Sequence, residues 1–195
     1  MLVSVDESAP LRLDEVRTGA AYEAMRADER RRVADLKRFR RIHLGESLAL
    51  VFENRDTIRA TLEEALRTER IDDPERVAGE IDAFNAVIPA PGELAAALFL
   101  EVPDPADLNA AVTRLDGIEQ TVFIDVAGKR VRGEPDDVFA PGEGVVAHYL
   151  RFRLEPDVRE AIVTGAPIAT GTDHAACAVV VSLDEEQRQA IARDL

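Results

Sequence analysis

The sequence predicts an α+β protein: a mixed or mainly antiparallel sheet of about five to six strands, with helices packed on it and a helical segment at its N-terminus. Three observations predict this class. Short apolar runs of strand length alternate irregularly with stretches of helical spacing. The dipeptide Ala127-Gly128 joins two such runs as a hairpin turn. No glycine-rich phosphate loop follows any run; GxxxxGK[ST] and GxGxxG are both absent, so a doubly wound nucleotide fold has no support.

The elements follow in order. Residues 1–12 read as a loose leader. Leu13 to Arg41 has helical spacing with a break near Ala27–Asp28. Gly45 ends that pattern, and Ser47–Glu53 (SLALVFE) is a uniformly apolar strand. Asp56 is the expected N-cap of a helix from Thr57 to Glu69. Asp72 or Asp73, with Pro74 at the first helical position, opens a helix to about Phe84. Ala96–Val102 is a strand and Asp107–Leu115 a short helix. Thr121–Val126 and Lys129–Arg132 are the arms of the hairpin. Gly133–Gly144 is an exposed loop, and Val145–Leu154 the longest strand. Pro156–Val163 is a helix, Thr164–Ala176 a loop and Cys177–Leu183 a strand. Ser182 and Glu185 form a capping-box pattern for a last helix to Leu195. The expected organisation is one domain over 1–195: the leader, a basic helical segment at 13–43 and an α+β core at 44–195.

Charge is unevenly spread. The 195 residues carry a formal net charge of −14, yet Arg30 to Arg41 holds seven basic side chains against one acid, Asp35. That segment is +6 and the remainder −20. On a helix, Arg30, Arg31, Lys37, Arg38 and Arg41 share an arc of roughly 120°, opposite Val33, Leu36 and Phe39. This arc is the candidate surface for an anion or an acidic partner. Arg32 and Arg40 fall on the apolar side and are expected to pair with acids. The acidic remainder repels phosphate, and aromatics are 5% with no tryptophan, so general nucleic-acid binding is not expected. A single cysteine, Cys177, permits no internal disulfide and fits a reducing, cytoplasmic setting. No apolar run reaches membrane-spanning length, so no membrane association is expected.

Candidate chemistry rests on a few residues. Glu69 is expected on the core face of its helix with Ile58, Leu62 and Ala65, while Arg59, Glu63, Arg67 and Arg70 point away. A carboxylate on a core face needs a partner or a shifted pKa. Glu53, Glu101 and Asp125 end three strands and would converge if those ends shared one sheet edge. His148 lies by alternation on an apolar strand face with Leu150 and Phe152. His174 precedes Cys177 by three residues, a spacing that can chelate zinc. Glu53, Arg55, Glu64, Glu69 and His148 form the candidate pocket. Glu69, His148 and His174 are the candidate ligands for a divalent iron, zinc or manganese ion. Gly-x-Ser-x-Gly and Glu-x-x-His are absent, so neither a hydrolase elbow nor a ferritin-type diiron site is supported.

One block is more specific. Phe52-Glu53-Asn54-Arg55-Asp56-Thr57, with Glu64, Leu66-Arg67 and Glu69-Arg70-Ile71, resembles an uncharacterised bacterial family, domain of unknown function 3501. Arg41-Ile42-x-Leu44-Gly45, Asn85-x-x-Ile88-Pro89, Glu93-Leu94, Tyr149-Leu150-x-Phe152, Asp173-His174 and Asp194-Leu195 extend the resemblance over nearly the whole chain. Relatives of this sort are often encoded beside rubrerythrin-like diiron proteins and iron–sulfur oxidoreductases. The resemblance therefore implies an accessory role in a redox or peroxide-handling system, with an iron–sulfur or rubrerythrin-like protein as partner, and no assigned catalytic residues. The chain departs from the family pattern at Thr61 and Glu63, where relatives tend to have glutamines, at Ala65, where they tend to have methionine, and at His148, where they tend to have glutamine. Three functions follow as expectations: a non-catalytic accessory or binding protein that docks through its basic helix, a small metal-dependent enzyme with a carboxylate and histidine site, and a homo-oligomer joined through the basic helix.

Overall fold

The computed structural model describes residues 8–136 and 147–195. Residues 137–144 of the expected loop at Gly133–Gly144, the first two residues of the expected strand at Val145 and most of the leader lie outside them; the described start of that loop is instead a strand, Glu134–Asp136, because its backbone pairs with Tyr149–Arg151. Among the described residues nine strands form two antiparallel sheets. The first orders β1 (Arg41–Leu44), β2 (Leu48–Glu53), β3 (Glu93–Leu100), β7 (Ala147–Arg153) and β6 (Glu134–Asp136) as β1-β2-β3-β7-β6. The second orders β5 (Lys129–Arg132), β4 (Val122–Val126), β8 (Ile168–His174) and β9 (Cys177–Ser182) as β5-β4-β8-β9. The α+β class and the antiparallel pairing are as expected, but the strands divide between two sheets.

The two sheets enclose the larger core. Leu48, Leu50 and Phe52 of β2, Ala96 and Leu98 of β3, and Leu150 and Phe152 of β7 meet Val122, Ile124 and Val126 of β4. Helices α5 (Pro156–Val163) and α6 (Glu185–Ala192) close this core with Val158, Ile162 and Ile191. Alternation sends the other side chains of the first sheet to its opposite face. There Ala49, Val51, Ala95 and Ala97 are all buried, small enough to let helices lie close. A second core fills this side. It joins Ile58, Leu62 and Leu66 of α2 (Arg55–Glu69) to Val77, Ile81 and Phe84 of α3 (Pro74–Asn85), with Tyr149 packed against them.

Local chemistry sets several boundaries differently from the sequence expectation. The cap of α2 is Asn54, not Asp56: Asn54 Oδ1 accepts from Thr57 N, and Thr57 Oγ1 accepts from Asn54 N. Asp184, not Ser182, caps α6, in reciprocal bonds with Gln187. Helix α1 (Gly19–Arg38) runs without a break at Ala27–Asp28. Arg41 belongs to β1, because the backbone turns at Phe39 and Arg40 and enters the sheet. The span 41–44 is therefore sheet rather than basic helix.

Strand β8 lies inside the expected loop Thr164–Ala176. Its run, IATGTDH, lacks an apolar pattern because two inward side chains are buried threonines. Thr170 donates to the Phe123 carbonyl, and Thr172 shares a 2.7 Å bond with Thr121. The hairpin turn is as expected: Ala127 and Gly128 both have positive φ, 51° and 87°, as a two-residue turn of this hand requires.

Gly171 sits between β4 and β9, where a Cβ would strike the carbonyl oxygen of Val179. That oxygen is backbone in a paired strand and has little room to move. Gly171→Ala is expected to cost about 3 kcal/mol through forced strand separation. Urea denaturation checks this, with Gly45→Ala, whose Cβ meets open space, as a comparison for the strain of positive φ alone.

Candidate functional site

The helical layer holds most of the buried charge. Helix α1 buries only Tyr22 and Glu29, so it docks on α2 mainly through polar groups. Glu63 of α2 is fully buried and accepts three bonds from Arg17, at 3.0, 3.0 and 2.8 Å. Glu29 accepts from Arg32 at 2.7 Å and lies 3.3 Å from both Arg59 and Arg17. Asp56 accepts from Arg32 at 3.0 Å and from Arg59 at 2.8 Å. Glu64 accepts from the Tyr22 hydroxyl at 2.9 Å and from Arg26 at 2.8 Å. Two helices are thus joined by alternating arginines and carboxylates, with planar guanidinium forks spanning the gap.

The charges move the protonation equilibria. The hydrogen bond from Arg32 holds the Glu29 carboxyl below its ordinary value of 4.5, against the effect of burial. Burial alone would raise Asp56, but Arg32 and Arg59 outweigh it and hold it below 3.8. Burial likewise opposes, and Arg26 and Tyr22 reverse, the shift at Glu64, which is also lowered. Burial, then the hydrogen bond to Glu64, raises the Tyr22 phenol.

Several sequence expectations change here. Glu69 is the exposed last residue of α2 and is not on its core face. The buried carboxylate of that helix is Glu63, which had been placed on the outer side. The cause is α1: it covers a second face of α2, so a residue that periodicity assigns to solvent becomes interior. Arg32 pairs as expected, and so does the buried Arg40. Arg40 grips Asp194 near the C-terminus and donates to the Ala190 carbonyl at 3.0 Å, while Asn54 also donates to Asp194.

The five residues of the expected pocket do not assemble. Glu53 ends β2 on the helix side of the first sheet and accepts from Lys37 at 2.9 Å. Arg55 binds the carbonyls of Ala9 and Pro10 and the carboxylate of Glu15, tying down the N-terminal segment. Glu64 lies between α1 and α2. His148 pairs with Leu98 in register, on the opposite side of the sheet from Glu53, with Glu119 at 4.0 Å. His174 stands opposite Cys177 at the β8–β9 turn, where Nδ1 accepts from Ala176 N and Nε2 meets the Asp116 carbonyl at 3.1 Å. Among the described residues no group of three or more His, Cys, Asp or Glu side chains could hold a metal ion. The strand-end acids also stay apart. Because β2 and β3 are antiparallel, Glu53 and Glu101 lie at opposite ends of that pair, and Asp125 is in the other sheet.

What the structure does bring together is a groove of about 330 Å³ between α1 and α2. Val33, Ala34 and Ala60 supply aliphatic walls; Arg30, Lys37 and Glu64 supply charge at its margins. Behind Lys37, Glu53 is nearly inaccessible, and its Oε2 has no hydrogen-bond partner among the described residues. Tyr149 lies in the same region; burial, then the charge of Glu53, raises its phenol. Sequence reading marked Lys37 and Glu53 separately. The sequence signal for the groove was the i, i+3, i+4, i+7 set Arg30, Val33, Ala34 and Lys37 facing the small residue Ala60.

Two outcomes follow. Removing a buried carboxylate strands its arginines, but Arg17 is about one-quarter exposed and can rehydrate. Glu63→Ala is therefore expected to cost about 2 kcal/mol, below the range for a fully buried pair, and Glu69→Ala under about 0.5 kcal/mol. Urea titration of both variants measures the contrast. The lowered carboxyls also fix a pH sign. Their folded values lie below their unfolded ones, so their contribution is complete above the unfolded values and is lost as pH falls through the folded ones. The urea midpoint should drop on going from pH 6 to pH 3, and drop less in a Glu29→Gln/Asp56→Asn variant.

The chain can be set beside known proteins. A crystal structure of a novel protein of unknown function from Burkholderia pseudomallei K96243 superposes with a TM-score of 0.88 at 31% identity, covering 96% of this chain and 100% of that one. No curated protein matches. The family model described as protein of unknown function (DUF3501) matches residues 10–195, and the chain belongs to that family.

Proposed function

We propose that the protein is a non-catalytic binding protein that docks an acidic partner on the outer face of α1. The observation that carries this reading is the division of the basic segment. Arg32 and the buried Arg40 are engaged by the protein's own acids, Lys37 is turned to Glu53, and Arg41 is turned to Glu101. Arg30 has no ion-pair partner among the described residues, and Arg38 only stacks over Phe39 at 5.1 Å. Arg31 meets Asp28 in a pair exposed on both sides, which water and salt weaken. Arg31 and Arg38 fall within about 20° of one another on the helix, while Arg30 lies toward the α1–α2 groove. Arg31 and Arg38 face outward from a body with a large negative charge, so a partner must present acids locally to bind here.

The family resemblance favours an iron–sulfur or rubrerythrin-like redox protein as that partner. Dispersal of Glu53, Glu69, His148 and His174 leaves the alternative of a carboxylate and histidine metalloenzyme without a shared site. The test is binding of the purified protein to a rubrerythrin-like diiron protein and to an iron–sulfur protein encoded by the same genome. The expected result is binding that weakens with salt and falls about tenfold in Arg31→Glu/Arg38→Glu. Indifference to charge reversal, or binding to neither protein, would remove this reading. Stoichiometric iron, zinc or manganese in the purified protein, lost in His148→Ala without unfolding, would restore the enzyme instead.

A further inference from the structure

The groove between α1 and α2 has a character that partner docking does not use. Its lining mixes aliphatic walls with charge, and the charges are not equivalent. Glu29 is engaged by Arg32, Arg59 and Arg17, and Glu64 by Tyr22 and Arg26, so both acids in the lining already accept from donors. Lys37 is held at one end by Glu53. Arg30 alone among the charged lining residues has no counter-ion within the described residues. A guanidinium with free donors, bordering Val33, Ala34 and Ala60, is complementary to a carboxylate that carries an apolar body.

We infer that the α1–α2 groove is a binding site for a small amphiphilic monocarboxylate, with Arg30 taking the carboxylate and Val33, Ala34 and Ala60 taking the chain. The space limits the size. At about 30 Å³ for each water-sized volume, 330 Å³ holds on the order of ten non-hydrogen atoms. That is the small end of the usual range for ligand sites. The charge pattern limits the head group. A phosphate dianion would meet Glu29 and Glu64 with one unpaired cation to hold it, whereas a monoanion matches that cation. An ammonium head would face Arg30 and Lys37 and be repelled. Lys37, with one bond to Glu53, keeps further donor positions toward the groove and acts as a positioning group at its end.

Octanoate, propionate and octylammonium are the probes, titrated into the full chain by calorimetry and by amide NMR. Octanoate should bind, with shifts confined to the groove-lining segments of α1 and α2. Propionate should bind about tenfold more weakly or not at all, because it lacks the chain that fills the walls. Arg30→Gln should weaken octanoate about tenfold through loss of the charged contact. Ala34→Trp, at an exposed lining position where added bulk does not disturb the α1–α2 contact, should block it. Arg38→Glu should leave octanoate binding within twofold, which separates this site from partner docking. Octylammonium binding as well as octanoate, no octanoate binding by the folded protein, or full binding in Arg30→Gln and Ala34→Trp would each overturn the assignment.

Discussion

Strands β2 and β3 have almost no solvent face, and most of the architecture answers that constraint. All six residues of β2 are buried, and five consecutive residues of β3 are. On one side they carry large side chains that the second sheet must cover. On the other they carry alanines and Val51, a low surface that only a helix pressed close can cover. Alanine on that side brings α2 and α3 near enough for Ile58, Leu62 and Leu66 to fill the space. A sheet buried on both faces gains about 25 cal/mol for each Å² of apolar surface removed from water. It also obliges every neighbouring element to supply an apolar face of the right height, and α2 and α3 do so.

The last layer is built differently. Helix α1 has few apolar groups to offer and lies on α2 rather than on the sheet, so it is held by Arg17, Arg26, Arg32 and Arg59 against Glu29, Asp56, Glu63 and Glu64. Exposed ion pairs of this kind are worth little singly. Here each carboxylate serves two donors or more and the central one, Glu63, has no access to water, so the network fixes a register more than it adds stability. Arginine suits this task because one planar fork can bridge two carboxylates. Arg32 does so between Glu29 and Asp56, and Arg59 does so between Asp56 and Glu29.

The strands and helices with a strong apolar period were legible in the sequence: β2, the β4–β5 hairpin, α3, α5 and β9. Elements whose stability comes from tertiary partners were not. β8 was hidden because Thr170 and Thr172 satisfy their hydroxyls on neighbouring strands, which no local pattern records. β1 was hidden by arginines that looked helical until their partners, Asp194 and Glu101, were in place. Glu69 and Glu63 exchanged roles for a related reason. A helical projection finds one buried face, and α2 has two, the second created by α1. Candidate-site residues were read as separate marks along the chain, while their grouping depends on which side of the first sheet each faces. Glu53 and His148 differ in that respect.

The segment of concentrated charge therefore divides by function within a few residues. Its inward members hold the helix, and its outward members remain available to something else. Lys37 stands on the boundary. It meets a carboxylate that is itself poorly satisfied: Glu53 has one oxygen on Lys37 and another without a hydrogen bond among the described residues. A buried carboxylate oxygen left in that condition is costly, on the order of 1–3 kcal/mol. Stability alone would favour a glutamine or an apolar residue there, where strand β2 already passes between two cores. A full negative charge at that point does one thing neither replacement would do. It holds the Lys37 ammonium in place at a groove that the unpaired Arg30 guanidinium also lines.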